Sequence, residues 1–284
     1  MTLFQRTLGL ASACLLLASG AAAQDRTAAD EIIALEKAFE TRAAEIGLVP
    51  AFRQYAAPDA IMFLPGPMPA GPYLEQADWP GVIVWRPRMV SVAPSGDMAV
   101  SLGPSLWTVE DRKDPGYYLS IWSRQADGAW RFVLDRGTPG APDYYSRPAE
   151  PVTVVDPVTG GGPPATPEAL EIELGRALAE DARGGLLRRL DPEAWIVRSG
   201  HGAETGRAAS ARIADDPERM TIKPLGGGVS RGGDFLWTYG LSEWQRDGRP
   251  VKGQYVRVWR RGLMGWRILV DHQVTLPEPA ADQR

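Results

Sequence analysis

Residues 96–135 read GDMAVSLGPSLWTVEDRKDPGYYLSIWSRQADGAWRFVLD, and residues 233–271 read GDFLWTYGLSEWQRDGRPVKGQYVRVWRRGLMGWRILVD. Side by side they match Gly96-Asp97 with Gly233-Asp234, Gly103 with Gly240, Trp107 with Trp244, Gly116 with Gly253 and Tyr118 with Tyr255. Trp122 then matches Trp259, Trp130-Arg131 matches Trp266-Arg267, and Asp135 matches Asp271. The spacing is 137 through Trp122 and Trp259 and 136 from Trp130 onward, a single deletion. Trp, Gly and Asp pairs in one register mark a tandem duplication with a unit of about 130 residues. Each copy alternates apolar and polar residues in strand-length runs broken by turn residues, the pattern of an antiparallel meander.

Outward from the meander, the first copy is expected to form strands at 88–93, 98–109, 116–125 and 130–136, and the second at 220–225, 235–246, 255–260 and 266–272. Ahead of the first lies an amphipathic helix at 25–45, with Ile32, Leu35, Phe39 and Ala43 at helical spacing and Glu31, Glu36, Lys37 and Arg42 between them. A short helix follows Gly47, then a short strand at 60–64 and a Pro/Gly loop at 65–72. Ahead of the second copy, Thr166 can cap a helix with Pro167 at its first position and Leu170, Leu174, Ala177 and Leu178 as its stripe. A short helix at 185–190 and a strand at 195–198 come next, and residues 226–233 are expected to lengthen the first hairpin. Helices segregated from an antiparallel sheet make an α+β fold.

Thirteen of the 31 residues from Gly137 to Pro167 are Gly or Pro, the composition of a linker. The expected division is a leader at 1–23, a first domain at 24–139, a linker at 140–165, a second domain at 166–277 and a tail at 278–284. The leader rests on Arg6, an apolar run at 8–18 and small residues at Ala21, Ala22 and Ala23, which predict cleavage near Ala23 and a periplasmic or secreted protein. That run is too short to span a bilayer, and no later stretch approaches 18 apolar residues, so no membrane partner is expected. Cys14, the one cysteine, lies in the leader, so the rest of the chain has no disulfide, thiolate metal site or cysteine nucleophile. A net charge of −4 argues against a nucleic-acid partner.

Helix, short helix, strand and a curved meander closing on Trp and Asp resemble the nuclear-transport-factor-2-like superfamily, the cone fold shared with ketosteroid isomerase and polyketide cyclases. The residues carrying the resemblance are Ser95-Gly96-Asp97, Gly103, Gly116-Tyr117-Tyr118, Trp122, Asp127-Gly128-Ala129-Trp130 and Asp135. In the second copy they are Gly233-Asp234, Gly240, Gly253-Gln254-Tyr255, Trp259, Gly265-Trp266 and Asp271. The match is to a bacterial subgroup without assigned function, and it implies two tandem cone-shaped domains, each a curved sheet on N-terminal helices. No catalytic set transfers, because the fold serves both enzymes and binding proteins.

Alternation in the third strand puts Tyr117, Leu119 and Ile121 on one face and Tyr118, Ser120, Trp122 and Arg124 on the other; Gln254, Val256 and Val258 oppose Tyr255, Arg257, Trp259 and Arg261 in the second copy. The leading expectation packs the aliphatic face on the helices and joins the aromatic faces sheet to sheet as an intrachain pseudo-dimer. The alternative reverses the faces, so that Tyr118, Trp122, Tyr255 and Trp259 line a ligand pocket.

Asp135 and Asp271 are candidate general bases, and His272 is a candidate acid–base partner, although neighbours on a strand point apart. His201, in a Gly-flanked loop, is a candidate ligand contact at the cone's mouth. The spacing of His and acidic residues predicts no metal site, and no cofactor is implied. Gly160-Gly161-Gly162 and Gly226-Gly227-Gly228 lack the strand–helix context of a phosphate loop and read as linker and hairpin. Three readings follow: a protein that binds a small, partly apolar molecule; an isomerase, dehydratase or cyclase using an Asp base; or an interaction module whose aromatic sheet face is exposed.

Overall fold

The computed structural model describes residues 8–63, 65–141, 145, 149–158 and 160–277, with side chains from residue 27 onward. The leader expected at 1–23 lies outside the described side chains, and the tail at 278–284 lies outside the described residues. The first half consists of α1 (Leu8–Ile46), α2 (Leu48–Tyr55), β1 (Ala56–Phe63), β2 (Pro67–Pro69), α3 (Ala70–Gln76), β3 (Val82–Trp85), β4 (Met89–Val92), β5 (Met98–Val109), β6 (Arg112–Arg124), β7 (Trp130–Pro139) and β8 (Thr153–Val155). The second consists of α4 (Pro167–Glu180), α5 (Ala182–Leu187), β9 (Leu190–Arg198), β10 (Ala203–Thr205), α6 (Gly206–Ala214), β11 (Thr221–Val229), β12 (Phe235–Arg246), β13 (Arg249–Gly262) and β14 (Gly265–Thr275). The fold is α+β with two separate sheets, ordered β2-β1-β7-β6-β5-β4-β8 with β3 also on β5, and β10-β9-β14-β13-β12-β11.

The register repeats with the sequence. Gly103 faces Tyr118 as Gly240 faces Tyr255, and β1 runs parallel to β7 as β9 does to β14. Thr166 caps α4 by accepting a hydrogen bond from the Ala169 amide at 3.2 Å, with Pro167 in the first turn. Gly96 and Gly233 occupy the same left-handed turn position, φ 66° and 65°.

Residues 226–233 do not lengthen a hairpin. Gly226, Gly227 and Gly228 sit inside β11, paired with Tyr239, Thr238 and Trp237, where the first half has β4. The two halves of β11 correspond to β3 and β4, which Arg86-Pro87-Arg88 separates in the first sheet and a register shift after Pro224 marks in the second. Glycine weakens strand propensity but leaves the backbone free to pair, and Cβ atoms at all three positions would collide with Trp237 or Tyr239. The repeated Gly103 and Gly240 answer to the same strand crossing: an added Cβ would lie 1.9 Å from the Arg86 carbonyl oxygen or 2.4 Å from that of Lys223.

Three buried clusters organise the packing. α1 and α2 cover Tyr118, Trp122, Trp130 and Phe132 of the first sheet, and α4, α5 and α6 cover Trp244, Trp259 and Trp266 of the second. Between the sheets, Leu119, Ile121 and Leu134 meet Trp195, Val256, Val258 and Val270. The leading face assignment is therefore corrected: the aromatic faces take the helices, and the mainly aliphatic faces meet each other. The reason is chemical. In the first half, α1 supplies acceptors for the Trp85, Trp122 and Trp130 indoles through Glu36 and Glu31, whereas sheets packing about 10 Å apart interdigitate aliphatic side chains.

The Pro/Gly-rich segment is less open than its composition predicts. Residues 153–155 add β8 parallel to β4, and the carbonyls of Asp156, Gly162 and Pro163 accept hydrogen bonds from Arg260, Arg261 and Trp266.

Overpacking a close strand crossing costs about 1–3 kcal/mol. Gly103→Ala and Gly240→Ala are each expected to lower the thermal midpoint, whereas Gly161→Ala, with open space around its Cβ, is expected to leave it unchanged. Calorimetry of the three variants checks this.

Candidate functional site

Glu36 stands on α1 in line with Ile32, Phe39 and Ala43, on the face that meets the sheet, and is 1% exposed. Its carboxylate accepts hydrogen bonds from the Trp85 indole at 2.8 Å, the Trp122 indole at 3.1 Å and the Ser101 hydroxyl. Trp122 also donates to Ser101 at 2.9 Å. Burial pushes Glu36 up to about 7 against these hydrogen bonds, and the Asp135 charge adds to the rise. Asp135, on β7, accepts from Ser120 at 2.6 Å, and burial lifts it to about 6.

Glu36, Ser120, Asp135 and Tyr118 share one cavity of about 730 Å³. Its other walls are mostly apolar, with Phe39, Phe52, Met62, Trp79, Trp85 and Trp107 among them. The Tyr118 hydroxyl is buried without a hydrogen-bond partner, and burial first, then the Glu36 charge, pushes its titration well above the usual tyrosine range. The cavity thus combines apolar area with two carboxyls that exchange protons near neutrality and one hydroxyl free to donate.

The second half repeats the frame and fills the space. Glu171 on α4 accepts from Thr238 at 2.6 Å, and Trp259 donates to Thr238 at 3.2 Å, in the places of Glu36, Ser101 and Trp122. Where the first half has Ser120, the second has Arg257, whose guanidinium bonds Asp271 at 2.6 Å and Glu171 at 2.7 Å. Arg198 pairs with Asp271 and Asp216, both at 2.7 Å. Burial raises Asp271, but Arg198 and Arg257 outweigh it and hold the carboxyl below its ordinary value. Two guanidiniums stabilise the charged form of Asp271 and weaken it as a proton acceptor, whereas among the described residues Asp135 has only Ser120 beside it.

The remaining candidates separate. His272 faces the space between the sheets, fully buried and away from the cavity, which removes it from acid–base work beside Asp135 or Asp271. Tyr255 is buried with Arg257 stacked 4.0 Å from its ring, and Trp259 is tied to Thr238, so neither lines a pocket in the way Tyr118 does. Trp122 stands behind Glu36 and holds it. His201 lies exposed in the turn after β9. With Tyr118, Trp122, Tyr255 and Trp259 all buried, the interaction-module reading loses the exposed aromatic face it requires. Among the described residues no cluster of His, Cys, Asp and Glu could hold a metal ion, and no helix is long and apolar enough to cross a membrane.

Glu36 is the site residue that the apolar-stripe reading passes over. Its signal is present in the sequence: it falls four residues after Ile32 and three before Phe39, and Glu171 interrupts the α4 stripe at the matching place.

Because the folded protein holds the Glu36 proton more tightly than the unfolded chain, its contribution weakens stability as pH rises from the unfolded value near 4.5 through about 7. Glu36→Gln removes the charge and keeps an acceptor for Trp122. It is expected to flatten the fall in stability between pH 5 and pH 8, by up to roughly 3 kcal/mol at the upper end. Denaturant midpoints across that range check the sign.

No family model matches the chain, and no curated protein matches it. Solved structures do. A ketosteroid isomerase-like protein from Erwinia carotovora atroseptica is 14% identical with a TM-score of 0.34, over 39% of this chain and 95% of that one. A nuclear-transport-factor-2-like protein of unknown function from Pseudomonas putida is 13% identical with a TM-score of 0.32, over 41% and 88%. A nuclear-transport-factor-2-like protein with a cystatin-like fold from Novosphingobium aromaticivorans is 18% identical with a TM-score of 0.30, over 39% and 83%. The chain is similar to these nuclear-transport-factor-2-like structures over about two fifths of its length.

Proposed function

We propose that the first half of this protein binds a small, mainly apolar molecule bearing at least one oxygen, and that the second half is its structural partner. The observation that carries this reading is the contrast at one position. Ser120 leaves a cavity in the first half, whereas Arg257 occupies the equivalent space in the second. Aromatic walls supply contact area, and protonated Glu36 or Asp135 and the Tyr118 hydroxyl supply hydrogen bonds to a carbonyl or hydroxyl oxygen. The leader expected at 1–23 supports a location outside the cytoplasm as part of the same proposal.

Ser120→Arg is the direct test. In the first half it is expected to reproduce the Arg257 arrangement, bridging Glu36 and Asp135, and to abolish ligand binding while the protein stays folded. A thermal-shift screen of lipids, aromatic acids and polyketide-like compounds on the parent protein, followed by calorimetric titration of both proteins, reads the outcome. No stabilising compound, or equal binding by the variant, overturns the reading.

A second reading is supported by the two carboxyls whose titration lies near neutrality. Ionised Asp135 would take a proton from carbon beside a carbonyl held by Glu36 or Tyr118, and return it elsewhere on the same molecule, an isomerisation that needs no cofactor. Deuterium incorporation from D₂O into a bound ketone, followed by NMR, is expected with the parent protein and is expected to fall at least a hundredfold with Asp135→Asn. Binding without exchange confines the site to ligand capture.

A further inference from the structure

We infer that the interface between the two sheets holds a small monovalent anion, of halide or simple carboxylate size, between Arg136 and His272. These residues occupy matching places in the duplication, one position after Asp135 and Asp271, and their strand neighbours Leu119 and Val256 both belong to the inter-sheet cluster. Arg136 is 2% exposed and His272 is fully buried.

Among the described residues, the other buried guanidiniums are paired with carboxylates. Arg198 has Asp216 and Asp271, Arg257 has Glu171 and Asp271, and Arg260 has Asp191 and Glu193. Arg136 has none among the described residues. One of its nitrogens, Nη2, donates to the Gln254 side-chain oxygen at 3.1 Å, and its guanidinium lies 4.3 Å over the Phe63 ring. Its Nε and Nη1 have no acceptor. Both ring nitrogens of His272 are also without partners.

Donors therefore predominate around a buried guanidinium that has no carboxylate beside it among the described residues, although burial lowers its titration to about 9. Water could satisfy the hydrogen bonds but would leave the charge uncompensated in a low-dielectric interior. An anion does both, accepting from Arg136 Nε and Nη1 and from the one N–H of a neutral His272. Burial, then the charges of Arg136 and Arg198, hold His272 well below its ordinary titration range, so it serves as a neutral donor. A group this deeply buried, among Leu119, Val256 and Phe63, favours a small ion over a bulky oxyanion. Because Arg136 comes from one half and His272 and Gln254 from the other, the ion would act as a clamp across the interface.

The test compares thermal midpoints in sodium gluconate, whose anion is too large to enter, with sodium chloride and sodium bromide at constant ionic strength. A saturable rise with either halide is expected, together with an anomalous scattering peak between Arg136 and His272 in crystals grown with bromide. Arg136→Met is expected to remove the halide dependence. Should that variant not fold, His272→Phe, which keeps the charge and loses one donor, is expected to raise the half-saturating halide concentration at least threefold. Equal midpoints in all three salts, water alone in the bromide map, or an unchanged halide response in the folded variants overturns the inference.

Discussion

A carboxyl group buried under the first helix of each half dictates how the rest of that half is assembled. Glu36 and Glu171 are both 1% exposed, and a carboxyl in such a place must find donors or remain protonated. The donors come from the sheet: Ser101 with Trp85 and Trp122 in the first half, Thr238 and Arg257 in the second. That requirement fixes which sheet face turns toward the helices. Once Trp122 and Trp259 are committed to this polar layer, the opposite faces carry mostly aliphatic side chains and are left to meet one another.

The same frame then diverges through one side chain. Serine at 120 reaches only Asp135, so the space beneath α1 stays open and the two carboxyls lie in an apolar cavity that shifts them toward neutrality. Arginine at 257 spans the equivalent distance, neutralises Glu171 and Asp271 together, and occupies the volume a ligand would need. Such a buried network adds little net stability over apolar packing, but removing one partner would strand a charge and cost about 3–5 kcal/mol. The second half is therefore committed to its filled state, and the first retains the hollow.

Between the sheets, packing is mainly aliphatic but not purely so. Gln254 reaches across to the Pro65 carbonyl at 2.8 Å and accepts from Arg136, and the Gly200 amide donates to the Pro139 carbonyl at 2.9 Å. The segment joining the halves runs against both, as β8 on the edge of the first sheet and as acceptors along β13 and β14 of the second. Carbonyl groups need no particular side chain to accept a hydrogen bond, which is why a Pro/Gly-rich composition hid these contacts.

Sequence alone determined the repeated meander, the leading helix of each copy, the cap at Thr166 and the two faces of the third strand, because each of these is a local or periodic property. It missed β3, β8, β10 and α6, whose short segments carry no such period. It also contained the mark of Glu36, a charge interrupting an apolar stripe at the same place in both copies. Tertiary structure alone decided which face turns inward, since alternation with a period of two separates the faces without naming the one that meets a helix. It alone decided that Asp135 borders a cavity while Asp271 is bound by Arg198 and Arg257, residues 73 and 14 positions away from it. It also placed Arg136 and His272 on facing surfaces, because contacts between the two copies depend on how whole sheets pack and leave no period in the chain.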